Sequence, residues 1–136
     1  MFKSTQRYFW LPLMVLASAL TQGGKLLAND NCKNVVITIT NQTPDEVKVK
    51  TFEYRDFDKE NWKTENMFGI DGFQKLMAGQ HYSWTRDLES VRDDKTEFRV
   101  TYVHHIGGSK WGSDLTETTD QFTCGEGLRK TVTLTK

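Results

Sequence analysis

Between Thr96 and His104 the chain alternates without a slip: Phe98, Val100 and Tyr102 fall on one side, Glu97, Arg99 and Thr101 on the other. A two-residue period of this kind fits a strand with one face in a core and one in water. The same pattern recurs along the chain. Lys33 to Thr40 is rich in β-branched residues and is closed by Asn41-Gln42-Thr43-Pro44-Asp45, whose side chains favour a turn. Glu46 to Asp56 alternates at Val47 and Val49 and then slips to Phe52 and Tyr54, which predicts a β-bulge near Lys50-Thr51. Arg55 to Asn61 reads as a hairpin loop and Trp62 to Phe68 as its return strand.

Glycines at 69, 72 and 79 divide the middle of the chain into two short strands, Phe73 to Leu76 and His81 to Leu88, joined by a turn over residues 77–80. A short helix across Asp71 to Met77 would have no cap beyond Asp71. On the second of these strands Tyr82, Trp84, Arg86 and Leu88 share a face. Val91 to Lys95 is a charged turn, His105 to Asp114 a glycine-rich loop, and Asp120 to Cys124 and Leu128 to Thr135 close the chain. No helical period follows residue 28. The expected fold is therefore all-β, an antiparallel β-sandwich of about seven or eight short strands.

Residues 1–28 have a different character. Lys3 and Arg7 precede a run from Tyr8 to Leu20 that carries no charge, and small residues follow, with cleavage placed after Ala19 or Ala28. The run is shorter than the 20 or so residues that cross a bilayer. The expectation is a removable signal peptide over 1–28 and one β-sandwich domain over 29–136, in a secreted or periplasmic protein with no transmembrane span after signal removal. Removing Lys3, Arg7 and Lys25 with the signal leaves three more acidic than basic groups, so nothing in the charge calls for nucleic acid.

Two cysteines remain, Cys32 near the start of the domain and Cys124 near its end, and in an oxidising compartment they are expected to pair. The acidic segment Asp56, Asp58 and Glu60 offers carboxylates at alternate positions, a spacing that suits calcium in a C2-like loop. It departs from a helix-loop-helix calcium loop, with Asn61 where glycine is needed and Met67 where glutamate is needed. No other cofactor is implied. His104 and His105 are adjacent, so on a strand their rings point to opposite faces and cannot jointly hold a metal. The sequence holds no G-x-S-x-G, H-E-x-x-H or P-loop pattern, and the chain is expected not to be an enzyme.

Large aromatic residues stand at the predicted loop boundaries: Phe57 and Trp62 around the acidic loop, and Trp111 beside Lys110 in the glycine-rich one. Rigid rings next to lysines suit a glycan, a protein or a lipid surface. The functional expectation is an exported, non-catalytic binding module using Trp111, Lys110, Trp62 and Phe57. The alternatives are a membrane-binding, toxin-like protein acting through aromatic loops and a calcium-dependent C2-like binder. No motif assigns the chain to a known family.

Overall fold

A computed structural model describes residues 32–56, 60–89, 91 and 95–136. The segment expected to be a signal peptide, Phe57, Asp58 and most of the 91–95 turn lie outside the described residues. The strands are β1 (Val35–Asn41), β2 (Val47–Asp56), β3 (Asn61–Glu65), β4 (Gln74–Leu76), β5 (His81–Arg86), β6 (Lys95–Thr96), β7 (Phe98–Gly107), β8 (Lys110–Trp111), β9 (Leu115–Thr118), β10 (Phe122–Thr123) and β11 (Arg129–Leu134). The fold is all-β, as expected, and no α-helix occurs among the described residues.

One sheet has the order β11-β1-β5. The larger one runs β3-β2-β7-β8, with β4 also pairing with β2 and β9 with β7; β6 and β10 form a small ribbon. The two sheets meet through the alternating faces that the sequence predicts. Val35, Ile37, Ile39, Trp84, Val132 and Leu134 come from the smaller sheet; Val47, Val49, Phe52, Tyr54, Phe98, Val100 and Tyr102 come from the larger, all in one buried cluster. The phase slip in β2 is a register shift between Val49 and Thr51 opposite β7, which keeps both halves of a ten-residue strand facing inward.

Among the described residues the strands pair antiparallel with one exception: β1 and β11 run parallel. Parallel neighbours begin at the same end of a sheet, so the residues just before β1 and the segment leading into β11 arrive together. Cys32 and Cys124 lie there, bonded, with their Cα atoms 5.3 Å apart across 92 residues of sequence.

The His105 to Asp114 segment differs from its expected form. It is not a loose loop: β7 continues to Gly107, and β8 returns against it with His105 opposite Trp111 and Gly107 opposite Lys110, the register shifting between them. Gly108, at φ 56°, is the first of the two turn residues between Gly107 and Lys110, a place that requires glycine in a type II′ hairpin.

Candidate functional site

Because residues directly opposite one another in an antiparallel pair share a face, the register fixes which side chains stand on the outside of the larger sheet. Lys48 of β2 lies opposite Val103 of β7 and Lys75 of β4. Two residues along β7, His105 lies opposite Trp111. These five side chains therefore form one outward cluster built from four strands, and Phe73, just before β4, joins it.

The contacts are specific. The Lys48 ammonium sits 4.2 Å from the centre of the Trp111 ring and 4.8 Å from that of Phe73. The Lys75 ammonium lies 5.6 Å from the Trp111 ring, and the His105 and Trp111 rings are 5.1 Å apart. His105 is anchored by its own Nε2, which donates to the Gly108 carbonyl at 2.7 Å. Val103 is 5% exposed although it stands outside the core cluster, so the rings and lysine stems of this face cover it. Among the described residues, no carboxylate lies within ion-pair reach of Lys48 or Lys75. Two cations are thus gathered over one half-buried indole without internal neutralisation.

Of the residues expected to bind, Trp111 occupies this cluster, and Lys110 and Trp62 do not. Lys110 precedes it on β8 and by alternation points to the opposite side. Trp62 stands on β3 opposite Arg55, further along the same sheet. The Arg99 guanidinium covers its ring at 4.1 Å, and Arg99 is itself held by Glu53 through bonds of 2.8 and 2.9 Å. Those bonds raise the Arg99 pKa above its already high range. Arg55 pairs with Glu97 at 3.1 Å, so this second cluster is neutralised within itself. Phe57 lies outside the described residues.

The residues of the cluster that sequence reasoning missed are Lys48, Phe73, Lys75 and His105. The hairpin that places His105 against Trp111 does carry a signal, since Gly108-Ser109 between two strand-forming pairs is a two-residue turn pattern. Nothing local indicates that β4 pairs beside Lys48, because that contact joins distant segments.

Asp56 is fully buried at the end of β2, continuing the inward row of Phe52 and Tyr54, whereas the sequence placed it in a hairpin loop as a calcium-ligand candidate. Glu60 is exposed at φ 51°, and Asp58 lies outside the described residues. The histidines separate as expected. His105 faces outward, while His104 approaches Asp45 at 3.4 Å and donates from Nε2 to the Lys136 carbonyl. An open cleft of about 430 Å³ between the β4 and β5 edges is lined by Gln74, Leu76, Gly79 and Tyr82 among others. Comparison with protein-family models, with curated proteins and with solved structures finds no match to this chain.

Proposed function

We propose that this chain is an exported, non-catalytic binding module whose ligand presents an anionic group, phosphate, sulfate or carboxylate, to Lys48 and Lys75 over the Trp111 ring. The observation that carries the reading is the pair of ammonium groups held on one indole without a carboxylate partner. Each such contact is worth about 0.5–1 kcal/mol at an exposed site, enough to orient the lysines while leaving their charge unspent. Because the lysines already lie over the ring, the indole acts as the platform and the ammonium groups as the recognising atoms. The disulfide suits an extracellular or periplasmic setting.

An anionic glycan and an anionic lipid surface present the same chemistry. Ile106, 63% exposed in the irregular part of the hairpin beside Trp111, is the side chain that would enter a lipid interface. The test is retention of the disulfide-bonded protein on dextran sulfate against plain dextran, alongside flotation with phosphatidylserine and phosphatidylcholine vesicles. The expected result is salt-sensitive binding to one anionic probe, lost on Lys48→Gln with Lys75→Gln while the melting temperature holds. Indifference of the wild-type protein to both anionic probes would overturn the reading.

A further inference from the structure

His105 belongs to the outward cluster but has no part in the reading of Lys48 and Lys75. It lies opposite Trp111 of β8, and its backbone N–H donates at 2.8 Å to the carbonyl of Glu46, just before β2. The His105 and Trp111 rings are 5.1 Å apart, and the Lys48 ammonium is 4.2 Å from the same indole centre. The imidazole and that ammonium are therefore separated by no more than the sum of these distances. That span falls inside the Debye length of about 10 Å at 0.1 M salt.

The ring is held in one tautomer. A carbonyl oxygen only accepts, so Nε2, 2.7 Å from the Gly108 carbonyl, carries a hydrogen, and the neutral imidazole has a bare Nδ1. A second proton enters at Nδ1 without breaking the bond to Gly108, and the ring becomes a cation at a fixed place. Histidine is the side chain whose charge ordinarily changes between pH 5 and 8.

The charged groups around it are on the page. Glu46 is half-buried on the β2 side, Lys48 and Lys75 share the outward face, and Lys110 points to the other side of β8. Asp114 is held by Lys50 at 2.7 Å, His104 approaches Asp45 on the opposite side of β7, and His81 lines the cleft beside Lys75. Among the described residues, no carboxylate lies within ion-pair reach of His105. A positive charge there, like those of the two lysines, is left to a ligand.

We propose that His105 is a third anion-binding group of this site, one that engages only when protonated, so that capture of the anion and uptake of a proton are coupled. This coupling rests on the anion-binding reading of Lys48 and Lys75 and adds control by pH to it. An anion over the indole favours the charged ring, and by linkage the charged ring favours the anion to the same degree. Binding therefore strengthens as pH falls. One added unit charge at this range, in a largely aqueous setting, changes affinity by about two- to fivefold.

The disulfide-bonded protein is titrated at low salt, at pH 8 and at pH 5.5, with the anionic probe it retains, dextran sulfate or phosphatidylserine vesicles. The expected result is an affinity about two- to fivefold higher at pH 5.5. That ratio drops toward one in His105→Gln, whose fold a thermal melt checks, and persists in His81→Gln. Independently of any variant, calorimetry near pH 6.5 in two buffers of different ionisation heat should show a fraction of a proton taken up on binding. Binding that needs Lys48 and Lys75 yet has the same affinity at both pH values would overturn the coupling and leave the anion-binding reading standing. A ratio that His105→Gln leaves intact would do the same. Absence of binding at either pH would overturn both.

Discussion

Asn41 shows how one polar side chain can set the geometry of a sandwich corner. It is fully buried, and each of its amide atoms is used: Nδ2 donates to the Asp45 and Leu76 carbonyls, and Oδ1 accepts from the Thr43 N–H and hydroxyl. Replacing it with alanine strands several of these groups in the interior, and Asn41→Ala is expected to cost about 2–4 kcal/mol in urea unfolding. Asn41-Gln42-Thr43 also has the spacing of a glycan acceptor, yet the folded amide is inaccessible and its hydrogens are engaged. The sequence marked residues 41–45 as a turn from composition alone. It did not mark the burial, because the Leu76 carbonyl that completes the site arrives from β4. Trp111 belongs to a different class. As a half-buried ring on an outer face it is expected to cost about 1–2 kcal/mol on Trp111→Ala, less than the 3–5 of a large core ring, and the same urea titration measures it.

Strands with one wet face were legible because their period is local, and β1, β2, β7 and β11 stand where alternation put them. The bulge in β2 was legible for the same reason. The β7–β8 hairpin was read as a loop since its glycines outweighed a two-residue turn signal, although that signal was present. Cross-sheet partners leave no such trace. Glu65 at the end of β3 meets Arg86 at the end of β5 at 3.5 Å, joining the two sheets at their open side. Burial raises the Glu65 pKa, Arg86 opposes that rise, and Glu89 adds to it. The folded state therefore holds this proton more tightly than the unfolded chain does. Stability from this group is present below the ordinary carboxylate range and is lost as pH rises through the raised value. Glu65→Gln should flatten the change in urea midpoint between pH 4 and pH 7 relative to wild type, and an unchanged slope would contradict the assignment.

At the scale of the whole molecule, the bridge and the parallel β1–β11 pair fasten the first and last described strands at one place. Cys32→Ser with Cys124→Ser is expected to lower the free energy of unfolding by roughly 4 to 5 kcal/mol at most, read from chemical denaturation. The pairing of the cysteines was legible from their number, but the parallel ladder beside them was not, because it joins strands far apart in sequence and leaves no local pattern. That ladder has a consequence for the order of events in synthesis. β1 is the middle strand of its sheet, and one of its two neighbours is β11. A ribosome that has made β1 through β10 has made a chain whose first strand still lacks half of its hydrogen-bond partners, and closing it requires a contact of long sequence separation. One of the two strand pairings in the smaller sheet is therefore available only once β11 has been made.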